Sequence, residues 1–301
     1  MNRVLHIIIN QQSRNSMKRF KSLLLELPKY TNYYKIHVTN SLEQLEKYIV
    51  ELKEIIAGED IVVIVGGDGS LNHGVTMLEK YQIDNPIGYI PTGSGNDYAR
   101  THGIPRTLSE ALEHFFKVKE ATELSIIQAT EDEKTYYAVN SLGVGIDGLV
   151  NQMVREQEQN KGLGALPYLK TVFLAFKKQR KFPITLKVDD GVYSFDKVQL
   201  ILFVNNPYFG GGMEIMPGAS DMDDDIEILI GNDVDFKDLF NIIGRLITGR
   251  SHLDHPKLHT FKTKHAAFYS DVEEYGQKDG EVFGQKGYAL TFSTKKRKFW
   301  I

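Results

Sequence analysis

The chain has no cysteine in its 301 residues. That excludes disulfides, thiolate metal sites and a cysteine nucleophile, and it suits a reducing compartment. An excess of one charge sign is also missing: 36 Lys and Arg stand against 39 Asp and Glu, a formal net charge of -3. Without a global basic field, nucleic acid is not an expected partner. No apolar run approaches the roughly 18 residues needed to cross a bilayer. The opening MNRVLHIIIN turns polar too soon for a signal-peptide core. Repeats and low-complexity tracts are absent as well. The expectation is a cytoplasmic protein, either soluble or resting on a membrane from one side.

Hydrophobic residues make up 42% of the chain and charged residues 25%, an ordinary globular balance. The length suggests two domains. Over the first 125 residues short apolar runs alternate with helical patterns. Val4 to Ile9, Tyr34 to Val38, Ile61 to Val65 and Pro86 to Ile90 read as strands. Helices are expected over Lys18 to Leu27, Leu42 to Ile56 and Ser109 to Phe116. Ile61 to Val65 is five β-branched residues in a row, as in a strand buried on both faces. The alternation predicts a doubly wound α/β domain with a parallel sheet. From about residue 126 the pattern becomes strand-like segments parted by turn residues, with about two helices, near Ala165–Lys178 and Phe236–Thr248. This half reads as a β-rich sandwich or barrel, with the final residues free to return to the first domain.

The strongest signal is Ile61-Val-Val-Ile-Val-Gly66-Gly67-Asp68-Gly69-Ser70. A buried strand leads into a glycine turn, and Leu71 onward can start a helix. Glycines let backbone N–H groups approach phosphate oxygens, and the helix N-terminus adds a partial positive charge. No lysine follows, so this is not a Walker loop. The spacing is not GxGxxG either, so it is not a dinucleotide fingerprint. An aspartate among phosphate-binding amides implies a cation between them, and Asp68 therefore points to Mg2+. The plainer reading is a glycine turn with a capping aspartate. A second strand, Ile87 to Ile90, leads to Pro91-Thr92-Gly93-Ser94-Gly95-Asn96-Asp97. In a parallel sheet both loops leave at the carboxyl edge, where such folds bind ligands.

Together these motifs resemble the diacylglycerol kinase catalytic family, which includes bacterial diacylglycerol kinases, related lipid kinases and sphingosine kinases. Further along, Asn140-Ser-Leu-Gly143-Val-Gly145-Ile-Asp147 resembles its NxxGxGxD segment, and Asn205-Asn206-Pro207 with Gly210-Gly211-Gly212 its glycine triplet. Pro217 to Asp225 resembles its metal-binding stretch, and Asp279-Gly280-Glu281 its late acidic DGE motif. GGDG alone also resembles NAD kinases and phosphofructokinases. The resemblance implies an ATP site lined by Thr39, Gly66, Gly67, Asp68, Gly69, Ser70, Leu71, Asn72 and Ser94, with Asn96 and Asp97 on the second loop. Asn10 and Ser13 fall where the family reads NPxSG, but this chain reads Asn10-Gln-Gln-Ser13-Arg14. Glu281 is implied as proton acceptor, with Asp279 and Asp68 near metal and phosphates.

Asp279-Gly280 also suits a plain β-turn. The run Ser220-Asp221-Met-Asp223-Asp224-Asp225 is too dense in carboxylates to stand without solvent or a cation. It is not an EF-hand, because Ile226 and Asn232 occupy the glycine and glutamate positions. The resemblance implies a structural Mg2+ on Ser220, Asp223 and Asp225, although Asp224 stands where the family has glycine. Two basic runs carry aromatics, Phe173 to Phe182 and Lys295 to Trp300. They suit an anionic membrane surface, or equally a helix C-terminus and a closing strand. The histidines show no metal-ligand spacing.

The expected function is ATP-dependent phosphorylation of a lipid hydroxyl, with diacylglycerol as the default acceptor, at a site between the two domains. Kinases of NAD or a sugar phosphate, and a non-catalytic nucleotide or lipid sensor, are the alternatives. A homodimer stays open.

Overall fold

The computed structural model describes residues 3–11, 16–158, 165–189, 191–249 and 251–301. The chain divides into two compact units. One comprises residues 1–125 with Gly210–Gly212 and Lys296–Ile301; the other comprises 126–209 and 213–295.

The first unit runs β1 (Leu5–Asn10), α1 (Ser16–Glu26), β2 (Tyr34–Thr39), α2 (Leu42–Ile55), β3 (Ile61–Gly66), α3 (Asp68–Lys80), β4 (Ile87–Pro91), α4 (Asp97–Thr101) and α5 (Leu108–Lys117). Its strands are parallel in the order β2-β1-β3-β4, and Phe299 and Trp300 extend the sheet beside Ile87 and Gly88. Side chains alternate between faces along each strand. Leu5, Ile7, Ile9, Val63 and Val65 meet Leu23 of α1, Leu27 of the 3-10 turn Leu27–Lys29 that follows it, and Leu112 and Phe115 of α5. On the other face Gly74 of α3 lies so close to Ile64 that a Cβ there would overlap it, at 2.2 Å. Both faces being covered, β3 is apolar throughout. Ser41 and Thr107 cap α2 and α5 by accepting the N–H groups of Gln44 and Glu110.

The second unit contains β5 (Thr122–Glu131), β6 (Lys134–Ala138), β7 (Ser141–Gly145), α6 (Ile146–Glu158), α7 (Ala165–Lys178), β8 (Phe182–Val188), β9 (Gly191–Val204), the short β10 (Tyr208–Phe209) and β11 (Met213–Glu214), β12 (Ile226–Asn232), α8 (Phe236–Ile247), β13 (Leu258–Thr263), β14 (Ala266–Lys278) and β15 (Glu281–Trp300). Its ladders are antiparallel, and long strands serve two neighbours. The first half of β9 pairs with β8, the second with β7 and β12. Inward side chains such as Leu142, Val144, Phe182, Phe203, Ile228, Phe268 and Leu290 fill the interior. Where about two helices were expected, the described residues form three. Ile146, Val150 and Met153 of α6 pack with Ala175 and Phe176 of α7.

Among the described residues no helix is long and apolar enough to cross a membrane. In the basic run at the end of the chain, Arg297, Phe299 and Trp300 are buried, whereas Lys296 and Lys298 are exposed. Phe299 is fully buried, and Arg297 lies between Glu79 (Nε–Oε1 3.3 Å) and Asp84 (Nη1–Oδ1 3.2 Å). Trp300 Nε1 donates to the Phe115 carbonyl at 3.2 Å. Its buried residues complete the sheet, as the closing-strand reading expected.

Candidate functional site

In the first unit the carboxyl ends of β1, β2, β3 and β4 carry the expected residues together. Gly66 and Thr92 are joined by a backbone bond, Thr92 N–H to Gly66 O at 2.7 Å. The two glycine loops then touch backbone to backbone. A Cβ on Gly67 would lie 3.2 Å from Gly93 Cα, and one on Gly93 would lie 2.6 Å from Gly67 Cα. Side chains at either position would force the loops apart.

Asp68 opens α3, and no side chain caps that helix. The N–H groups of its first turn have no partner inside a helix, so Asp68, Gly69 and Ser70 present donors and the positive end of the dipole to an anion. The Asp68 carboxylate turns to the second loop, where Oδ1 accepts the Tyr98 N–H at 3.1 Å. Asp97 Oδ2 accepts the Gly211 N–H at 3.0 Å. A Cβ on Gly95 would lie 3.2 Å from Asp68 Oδ2 and 3.7 Å from Asp97 Oδ2, so both carboxylates border one glycine. Asp97 is buried, and its Oδ1 has no hydrogen-bond partner among the described residues. Burial holds its carboxyl above the usual carboxylate range; the Asp68 charge adds to the rise, while the Gly211 N–H opposes it.

Around this pair, Asn10 Nδ2 donates to Ser70 Oγ at 3.0 Å, and Ser70 folds over Gly66. Thr39 is buried, its hydroxyl donating to the Ile9 carbonyl at 3.4 Å and its own carbonyl accepting the Gln11 N–H at 2.7 Å. Asn72 is buried and Ser94 exposed. Asn96 adopts a left-handed conformation (φ 53°) and locks its loop: Oδ1 accepts the Gly93 N–H and Nδ2 donates to the Gly93 carbonyl, both at 3.0 Å. Leu71 is a correction. Its side chain is fully buried and its N–H donates to the Gly67 carbonyl at 3.1 Å, so it brings no polar atom to a ligand. Ser13 and Arg14 lie outside the described residues.

Two features were not expected as site residues. Gly210, Gly211 and Gly212 all have positive φ, at 69°, 87° and 103°, a path that only glycine follows without strain. The Arg100 guanidinium packs against Gly212. Arg106 Nη2 donates to the Ser94 carbonyl at 2.8 Å and bridges the second loop from behind. The glycine triplet was a visible signal; the arginines were not.

In the second unit Asp279 (φ 45°) and Gly280 (φ 83°) form the two-residue turn between β14 and β15, the conformation that Asp-Gly favours. The Asp279 carboxylate does not face outward. Oδ2 accepts the Val139 N–H at 2.7 Å, and Oδ1 accepts those of Asn140 and Ser141 at 2.8 and 3.0 Å. Burial pushes this carboxyl up to about 6 against the pull of those N–H groups. Asp279 is therefore a clamp on the β6–β7 connection. Gln277 Oε1 accepts the Gly280 N–H at 2.7 Å, and Gln277 Nε2 donates to Asp147 Oδ2. Burial raises the Asp147 carboxyl to about 6 as well. Glu281, held by this turn, is partly exposed and lies 3.5 Å from Lys278 Nζ.

The carboxylates of the acidic run gather around a lysine. Lys262 Nζ of β13 stands 3.0 Å from Asp223 Oδ2 and 3.5 Å from both Asp225 Oδ2 and Glu227 Oε1. Ser220 Oγ accepts the Met222 N–H, and Asp223 Oδ1 that of Asp225. The Lys262 ammonium thus supplies positive charge to the Asp223 carboxylate; the other expected ligands of the structural Mg2+ were the backbone carbonyls of Ser220 and Asp225, which these side-chain contacts do not engage. Among the described residues no group of three or more His, Asp or Glu side chains could hold a metal ion. Asp68 and Asp97 fit a different arrangement, in which one or two carboxylates share Mg2+ with substrate phosphates.

Comparison with known proteins agrees with this geometry. Residues 4–129 match the family model of the diacylglycerol kinase catalytic domain, and residues 140–294 that of the YegS C-terminal NAD kinase beta sandwich-like domain. "Putative lipid kinase YtlR" of Bacillus subtilis (strain 168) is 23% identical over 296 residues, 93% of each chain. "Putative lipid kinase SAR0780" of Staphylococcus aureus (strain MRSA252) is 25% identical over 248 residues, 80% of this chain and 79% of the relative. A solved structure titled "A putative diacylglycerol kinase from Bacillus anthracis str. Sterne" superposes with a TM-score of 0.79 at 20% identity, over 98% of this chain and 96% of that one.

Proposed function

Since the chain belongs to the diacylglycerol kinase catalytic-domain family, we propose that it transfers the γ-phosphoryl group of ATP to a lipid hydroxyl, with diacylglycerol as the acceptor. The observation that carries the reading is the pair Asp68 and Asp97, bordering one glycine, Gly95, where two glycine loops meet. Two carboxylates beside unspent backbone donors suit a triphosphate that brings its own divalent ion.

In this reading the first-turn N–H groups of Asp68, Gly69 and Ser70 receive phosphate oxygens, and Arg100 supplies a cation beside Gly212. Mg2+ held by Asp68 and Asp97 with the phosphates would neutralise the charge that develops on the phosphoryl oxygens. Glu281 takes the proton from the acceptor hydroxyl as its oxygen bonds to the γ-phosphorus, the bond to the bridging oxygen breaks, and ADP leaves. Lys278 keeps the Glu281 carboxylate beside a positive charge, and Asp279, Gln277 and Asp147 fix the turn that aims it. By this reading the protein works at the membrane surface.

The test is transfer from labelled ATP to diacylglycerol in mixed micelles, with NAD and fructose 6-phosphate as competing acceptors. Wild type should label the lipid alone. Glu281→Gln should lose turnover by about 100-fold or more, the usual scale for a general base, with its melting temperature unchanged. Label on NAD or the sugar phosphate would replace the lipid acceptor by a soluble one, and full turnover in Glu281→Gln would remove the base.

A further inference from the structure

Helix α8 is amphipathic, yet none of its residues is buried. At about 100° per residue its apolar side chains span an arc of roughly 160°. One half of that arc, Leu239 and Ile242, packs against the cluster formed by α6 and α7. The other half faces solvent: Phe236, Phe240 and Ile247 are 45%, 61% and 68% exposed, at spacings i, i+4 and i+11. Phe240 stacks on Phe173 of α7 with ring centroids 4.8 Å apart, so the stripe continues onto the neighbouring helix. There Leu174 is exposed between Lys170, Lys177 and Lys178, which share its face and are exposed too. From residue 165 to 182 the chain carries five Lys and Arg and no Asp or Glu.

We infer that the outer face of α7 and α8 is a docking surface for an anionic lipid bilayer. Such a bilayer answers both halves of the surface at once. Phe236, Phe240, Ile247 and Leu174 would enter the boundary between headgroups and acyl chains, and the lysines would meet lipid phosphates. The helices have 14 and 12 residues, too short to span the hydrocarbon core, so they lie in the interface. The acids at the start of α8 do not oppose this. Asp235 and Asp238 form its capping box, and Asp233 is held by Lys181, Lys197 and Lys257. A second copy of the chain is a poorer occupant, because the α7 stripe offers it no acid to pair with these lysines. The inference deepens the lipid-acceptor reading and rests on it for its purpose, but the binding it predicts needs neither ATP nor turnover.

The test is co-sedimentation of the full chain, without nucleotide, with vesicles of phosphatidylcholine alone or mixed with phosphatidylglycerol. Binding should appear with the anionic vesicles and weaken at high salt. Phe240→Ser with Ile247→Ser, and separately Lys177→Glu with Lys178→Glu, should each weaken it by about tenfold or more. Because these side chains are exposed, melting temperature and turnover on micellar substrate should stay within error. Failure of wild type to bind anionic vesicles overturns the inference, and so does undiminished binding by both double variants. A dimer in solution that Phe240→Ser with Ile247→Ser dissolves, with no vesicle binding, would assign the face to a second copy instead. Vesicle binding by a protein that labels no lipid would support the surface and remove the acceptor.

Discussion

Asp97→Asn should make the unliganded protein more stable and at the same time unable to hold its nucleotide. The Asp68 and Asp97 oxygens that border Gly95 are separated by about 7 Å at most, because each lies within 3.7 Å of the same point. At that distance two negative charges repel by about 0.6 kcal/mol at the dielectric constant of water and about 2.4 kcal/mol at an effective value near 20. Asparagine keeps an oxygen for the Gly211 N–H and removes the charge. Its Nδ2 then stands in place of Asp97 Oδ1, an atom without a hydrogen-bond partner among the described residues. The expected gain is about 1–2 kcal/mol, or roughly 2–6 °C in melting temperature for a domain of this size. Differential scanning fluorimetry with and without ATP and Mg2+ reads both effects. For wild type, ligand at 100 times its Kd should add about 2.7 kcal/mol of stability, and for Asp97→Asn that increment should vanish. A fall in the unliganded melting temperature would refute the reasoning, since it would mean that Asp97 serves the fold rather than a ligand.

Gly93→Ala places a methyl 2.6 Å from Gly67 Cα and 2.9 Å from Asn96 Oδ1, neither of which can swing aside. It should cost about 1–3 kcal/mol and abolish ATP binding by calorimetry, whereas Gly69→Ala, with nothing within 4 Å, should leave the melting temperature unchanged. Asp147→Asn should stabilise the protein at pH 7.5 and lose most of that advantage at pH 4.5. Its carboxyl is raised from 3.8 to about 6 in the fold, so the native state binds more protons than the unfolded one between those values. The stability contribution therefore falls as pH rises through the window. The gain at pH 7.5 should be about 3 kcal/mol, each tenfold change in proton affinity being worth about 1.4 kcal/mol, and urea melts at the two pH values check it. Lys262→Ala should lose up to about 1 kcal/mol and become more sensitive to Mg2+ than wild type, as melts with and without EDTA would report.

Much of this was legible along the chain. Ile61 to Val65 announced a strand covered on both faces, and the glycines after it announced a turn at the sheet's carboxyl edge. Helix α6 was hidden by Gly143, Gly145 and Gly148, although Ile146, Leu149, Val150 and Met153 keep helical spacing. The DGE turn was read correctly as acidic and tight, but the direction of Asp279 depends on Val139 to Ser141, about 140 residues earlier. Leu71 follows the glycine loop immediately, yet the first turn of α3 carries it into the core.

Local order along the chain was enough to specify the two kinds of layer, the two glycine loops and which residues are acids, because strand burial, turn geometry and charge are properties of neighbouring residues. It could not specify which cation meets which acid. Lys262 satisfies the 223–227 run because β12 and β13 pair antiparallel, with Glu227 opposite Lys262. Asp68 and Asp97 meet because two loops 29 residues apart leave adjacent parallel strands, and Gly67 and Gly93 have no side chains to keep them separate. Electrostatic partnership depends on distance in space, and only the folded chain sets that distance.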